Sequence, residues 1–103
     1  MDEIKNVIEI NNLLDIYGNF LTDLQKDIMN DYYEDNLSLS EISENRNISR
    51  ASVSDTLKKG REKLLSCEEK LHLIEIFTEL KKTKSKEVVE QIESRIKNGI
   101  WIS

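Results

Sequence analysis

Arg50, Ser54 and Lys58 follow one another at four-residue steps, and Ala51 and Asp55 repeat that step beside them. On an α-helix this spacing gathers the five side chains on one face. Their chemistry suits the edges of bases. Arg50 can donate two hydrogen bonds to O6 and N7 of guanine, Asp55 can accept from N4 of cytosine, Ser54 can donate or accept, and Ala51 can meet the methyl of thymine. Ser49 opens the run. Lys58, Lys59 and Arg61 close it as candidate phosphate clamps, and Arg46 is a further candidate phosphate contact upstream.

Such a face needs a support that presents it. The run Leu39 to Lys58 has the pattern of a helix-turn-helix, in which the second helix enters the major groove and the first crosses the backbone above it. Ser38-Leu39-Ser40-Glu41 is a capping box for the first helix. Ser43 is the small residue where the two helices approach. Asn47 is the turn residue that tolerates a left-handed backbone, Ile48 and Val53 are apolar plugs, and Ser49 is the cap of the second helix. Arg46 departs from the pattern, because an apolar residue usually precedes the turn. Three readings fit it: its stem lies over the core with the charge outside, the first helix ends early, or the guanidinium reaches a phosphate.

Charge divides the chain sharply. Residues 1–45 hold 11 acids and 2 bases, net −9; residues 46–63 hold 6 bases and 2 acids, net +4; residues 64–103 hold 7 of each. An acidic chain that keeps its excess bases on one candidate recognition helix is a candidate reader of nucleic acid.

Other chemistry finds little support. Cys67 stands alone, which excludes an intramolecular disulfide, and reads as a half-buried structural thiol. His72 is the sole histidine and reads as a partly buried helix residue. Glu68 and Glu69 read as a solvated helix face. With no second Cys or His for zinc, no Ser/His/Asp set and no glycine-rich phosphate loop, we expect no enzyme, no metal and no cofactor. No apolar run approaches a membrane span and the N-terminus is acidic, so the expected location is the cytoplasm.

The remaining pattern predicts an all-α fold. A first helix over about Glu3 to Tyr17 carries Ile4, Val7, Ile8, Leu14 and Tyr17 as its stripe, with Gly18 ending it as a left-handed cap. Thr22-Asp23-Leu24-Gln25 is a second capping box, before a helix with Leu24, Ile28, Met29, Tyr32 and Tyr33 on one side and a turn at Asp35-Asn36. The helix from Ser49 buries Val53, Leu57, Gly60 and Leu64 and continues through Leu65 toward Leu71. Leu71, Ile74, Phe77 and Leu80 mark another helix, and Lys81 to Lys86 an exposed connection. Val88, Val89, Ile92, Ile96 and Ile100 mark the last helix, ended by Asn98-Gly99. Trp101 is expected on the core or on a partner. We expect a helix-turn-helix domain over residues 1–70 and a helical extension over 71–103.

From Leu13 to Leu73 the chain resembles the YlxM-type helix-turn-helix proteins. The matching stretches are Leu14-Asp15-Ile16-Tyr17-Gly18, Leu21-Thr22-Asp23-Leu24-Gln25, Tyr32 to Ser43 and Ile48 to Asp55. Leu21-Thr22, Gln25 and Tyr32-Tyr33 also look like region 4 of sigma-70-type factors, which binds promoter DNA. The resemblance implies a helical bundle of that kind with additional C-terminal helices. It also implies a regulatory or accessory role linked to the signal recognition particle pathway, beside whose protein components such proteins are typically encoded. Duplex DNA is the favoured partner, structured RNA the second, and docking on a signal recognition particle component the third. A chain this small is expected to gain specificity as a homodimer, through its N-terminal helix or its C-terminal helices.

Overall fold

Thr22, Ser38 and Ser49 each stand immediately before a helix in the computed structural model of the chain, which describes residues 2–83 and 86–98. The order is α1 (Asp2–Tyr17), a 3-10 turn (Gly18–Phe20), α2 (Asp23–Tyr33), α3 (Leu39–Arg46), α4 (Arg50–Leu71), α5 (Leu73–Thr83) and α6 (Lys86–Lys97). The described residues contain no strand, so the fold is all-α. The expectations for Lys84, Gly99, Ile100 and Trp101, and for the side chain of Ile4, lie outside the described residues.

Both capping boxes are complete. The Thr22 hydroxyl oxygen accepts from the Gln25 N–H (3.2 Å) and the Gln25 side chain accepts from the Thr22 N–H (3.1 Å). Ser38 and Glu41 repeat the exchange at 3.1 and 3.0 Å. Each cap satisfies N–H groups that a helix start leaves without partners.

α4 is the central element, lying against α1, α2 and α3. Its buried row is Val53, Leu57, Gly60 and Leu64. Tyr17, Ile28, Met29 and Ile42 complete the fully buried centre of the core. A Cβ on Gly60 would stand 2.8 Å from the Met29 Sδ and 3.1 Å from its Cγ, so glycine is what lets α4 lie this close to α2. On its other flank α1 meets α5 and α6, and the core continues through Phe77 and Val89.

The corner between α4 and α5 is tied by one partly buried network. The Tyr17 hydroxyl donates to Glu68 Oε1 (2.5 Å) and accepts from the Leu73 N–H (3.0 Å). The Glu68 carboxylate also accepts from the N–H groups of Ile74 (3.1 Å) and Glu75 (3.3 Å). Glu68 is therefore the cap of α5 and not a solvated side chain, a role that its i+6 and i+7 contacts place beyond helical periodicity. Burial, and then the bond to Glu68, push the Tyr17 pKa well above its ordinary value.

Several other expectations are corrected. Ile8 is 57% exposed, because the buried residues of α1 are Ile10, Leu13, Leu14, Ile16 and Tyr17 and Ile8 points away from them. Leu24 is exposed in the first turn of α2, and the core begins one turn later at Ile28. Val7, Tyr32 and Leu71 are also exposed, as are Val88 and Ile92 on α6. Gly18 ends α1 by tightening into the 3-10 turn, without a left-handed φ. His72 is an exposed left-handed joint (φ 55°) between α4 and α5, a conformation that histidine enters more readily than most residues. Lys81 belongs to α5 and pairs with Glu93 of α6 at 2.7 Å. Cys67 is half-buried, as expected.

Two outcomes test this packing. Tyr17→Phe should lower stability by about 1–3 kcal/mol in urea unfolding, because it strips Glu68 and the Leu73 N–H of a partner. Folding favours the neutral Tyr17 hydroxyl, so the wild type should hold its stability below about pH 10 and lose it above, more steeply than Tyr17→Phe does. Gly60→Val should cost roughly 1–3 kcal/mol by overpacking against Met29, whereas Gly18→Ala, whose added Cβ meets ordinary contacts, should change stability by less than about 1 kcal/mol.

Candidate nucleic-acid interface

The two helices of the motif meet through a turn of three residues. Asn47 takes φ 54° and ψ 47°, the left-handed conformation that the motif requires. The Ser43 hydroxyl donates to the Ile48 carbonyl (2.5 Å) and the Ile48 N–H donates to the Ser43 carbonyl (3.1 Å). Ser43 is thus more than a small residue at a close approach, since its side chain closes the turn. Ile48 is half-buried against the core and Ile42 and Val53 are fully buried. These contacts fix α3 against the start of α4.

Beyond the turn, the Ser49 side chain accepts from the Ser52 N–H (3.0 Å) and is bonded to the Ser52 hydroxyl (2.9 Å). Ser49 is spent as a cap. Arg50, Ala51, Ser54, Asp55 and Lys58 are all exposed, on the side of α4 away from its buried row. The structure brings these five together as the spacing predicts. The N-terminus of α4 opens onto the same face, and its partial positive charge adds to that of Arg50.

The flanking bases are differently placed. Lys59 pairs with Asp55 one turn back (3.0 Å), both well exposed, which offsets one charge of each sign. Arg61 is half-buried and its Nη1 donates to the Tyr33 hydroxyl (3.1 Å), which ties α4 to α2. The Tyr33 and Tyr32 rings meet edge to face, with centroids 4.9 Å apart. Arg46 donates from Nε and Nη2 to the two carboxylate oxygens of Asp31 (2.6 and 3.1 Å), with Asp27 at 4.0 Å. The bond to Asp31 raises the Arg46 pKa above its usual value. α3 therefore runs its full length to Arg46, and the arginine clips it to α2. No motif in the sequence pointed to Asp31, which lies fifteen residues upstream. Glu41, whose carboxylate caps α3, and Glu44 are exposed on α3, the helix that crosses the duplex backbone in such motifs.

Among the described residues, no group of three or more His, Cys, Asp and Glu is arranged to hold a metal ion. No described helix is long and apolar enough to cross a membrane.

Known proteins agree with the geometry. Residues 4–99 match the model of the UPF0122 family, described as "Putative helix-turn-helix protein, YlxM / p13 like". A UPF0122 protein of Fusobacterium nucleatum is 40% identical over 93 residues, covering 90% of this chain and 86% of the relative. One from Desulforamulus reducens is 42% identical over 89 residues, covering 86% and 73%. Another, from Malacoplasma penetrans, is 42% identical over 85 residues, covering 82% and 75%.

The Arg46–Asp31 clip should register as a stability coupling. A double-mutant cycle with Arg46→Ala and Asp31→Ala is expected to return roughly 0.5–1.5 kcal/mol, above the median for exposed pairs because the geometry is bidentate. A coupling of zero in thermal and urea unfolding would contradict the role given to the pair.

Proposed function

The chain belongs to the YlxM/p13-like helix-turn-helix family, and we propose that it is a DNA-binding regulatory protein that lays α4 in the major groove of a duplex. The observation that carries this reading is the capped, solvent-facing start of α4. There Arg50, Ala51, Ser54, Asp55 and Lys58 share one exposed face behind a rigid left-handed turn. Arg50 reads guanine, Asp55 accepts from the amino group of cytosine, and Ala51 meets a thymine methyl. Lys58 and Arg61 serve phosphates, whereas Lys59, a candidate by sequence, is offset by Asp55. The likeness to sigma-70 region 4 supports the same docking. In this reading residues 1–70 form the reader and residues 71–103 its extension, and the protein carries no catalytic step.

One observation favours a second reading, in which the same face docks on a component of the signal recognition particle, its RNA or its protein. Glu41 and Glu44 on α3, and the commitment of Arg46 to Asp31, leave α3 without a free base for the backbone that it would cross. Contact is then confined to one helix, and a short contact suits a structured RNA or a protein groove as well as it suits an operator.

Fluorescence anisotropy against labelled duplex DNA and signal recognition particle RNA, at several salt concentrations, separates the readings. With Lys58 and Arg61 as the phosphate contacts, Arg50 on guanine and Lys59 offset by Asp55, the logarithm of the duplex affinity should fall with log salt at a slope of about −2 per chain. Arg50→Ala should cost about 1–3 kcal/mol on the preferred sequence, and Arg50→Glu/Lys58→Glu should abolish binding. Tighter binding to the RNA would select the second reading. Absence of salt-dependent binding to both would refute a nucleic-acid role and leave docking on protein.

A further inference from the structure

α5 and α6 form a hairpin with two unlike flanks. The flank that meets α1 is polar and closed: Lys81 pairs with Glu93, Lys97 lies 3.9 Å from Asp15, and the Asn19 amide donates to the Lys97 carbonyl (3.1 Å). Phe77 and Val89 sit between the helices and α1 and are buried. The opposite flank is apolar. On α5 it carries Ile76, 45% exposed, and the half-buried Leu80, which line a shallow groove with His72, Glu75 and Glu79. On α6 it carries Val88 and Ile92 at a four-residue step, 53% and 44% exposed. Four aliphatic side chains on one side of a two-helix unit are more than the scattered surface residues of an ordinary domain.

We propose that this flank is the contact between two copies of the chain, paired about a twofold axis. This goes beyond the nucleic-acid reading and does not depend on it. Charge selects the occupant. A twofold contact sets each surface against itself, so it must be self-complementary. The first 45 residues, net −9, cannot meet themselves without strong repulsion, whereas residues 64–103 hold seven acids and seven bases. Glu75 and Glu79 edge the stripe on α5, where they pair along the helix with His72 (3.2 Å) and Lys82 (3.3 Å), and Arg95, three residues beyond Ile92, edges it on α6. With α5 of one copy laid over α6 of the other, the acidic edge meets Arg95 twice. A strongly acidic or strongly basic partner would find only one matching edge.

The size of the contact sets its strength. Helices of 11 and 12 residues span roughly 17 Å each, and two side by side are about 20 Å wide. That is smaller than a standard interface of about 800 Å² per partner, so the dimer should dissociate in the micromolar range.

Sedimentation equilibrium of the full chain from about 1 to 500 µM, without nucleic acid, tests this. A concentration-dependent monomer–dimer equilibrium is expected. Ile76→Glu/Ile92→Glu should be monomeric throughout with unchanged helicity by circular dichroism. Arg95→Glu should raise the dissociation constant at least about tenfold, and Glu75→Lys/Glu79→Lys in the same chain should restore it. A wild type that stays monomeric across the range overturns the proposal. So does a dimer untouched by Ile76→Glu/Ile92→Glu, which would place the contact elsewhere. If that variant loses helicity, the charge exchange decides, and failure of the second pair to restore dimerisation refutes the contact.

Discussion

The depth at which α4 sits against α2 governs the rest of the molecule. At Gly60 the two helices are closer than any residue with a Cβ allows without moving Met29. That approach seats Val53, Leu57 and Leu64 in a single core and brings Arg61 within reach of the Tyr33 hydroxyl. It also decides which side of a 22-residue helix is left to solvent. A longer side chain at residue 60 would have to displace the buried Met29 side chain. The candidate reading face is set from behind, by a contact that no ligand touches.

Polar groups then lock what apolar burial positions. The turn at Asn47 would close on steric grounds alone, but Ser43 adds two hydrogen bonds across it. α3, only eight residues long, is too short to be stable by itself and borrows rigidity from α2 through Arg46 and Asp31. Its charge is consumed in that task. The bases around the motif thus divide between holding the fold (Arg46, and Arg61 through its Nη1) and facing solvent (Arg50, Lys58), a division that net charge by segment does not reveal.

Local chemistry made much of this legible. Thr22, Ser38 and Ser49 act within three residues of themselves, and Asn47 and Gly60 are read from conformation and spacing, so the helices and the motif follow from the sequence. What escaped is long-range. Glu68 and Glu69 are equivalent in any periodic reading, yet only Glu68 faces Tyr17, fifty-one residues away, and the amides of α5. Asp31 has no feature that marks it as the partner of Arg46. Ile8 and Val7 satisfy an amphipathic spacing, but the neighbours of α1 select the phase set by Ile10, Leu13 and Leu14. The exposed face of α4 was legible because it depends on one helix alone.

α4 ends at Leu71 and α5 begins at Leu73, with His72 alone between them. That residue's φ is fixed, the next three amides are bonded to Tyr17 and Glu68, and the Tyr17 side chain is wholly buried. The joint therefore has no slack. A connection with no slack transmits orientation as a rigid elbow does: a torque applied to the C-terminal hairpin arrives at the start of α4, some 22 residues away, almost undiminished. Whatever the hairpin rests on would then act as a ruler for α4. The spacing and angle of the reading helix would be set by geometry at the far end of the molecule, with none of the latitude that a flexible linker gives.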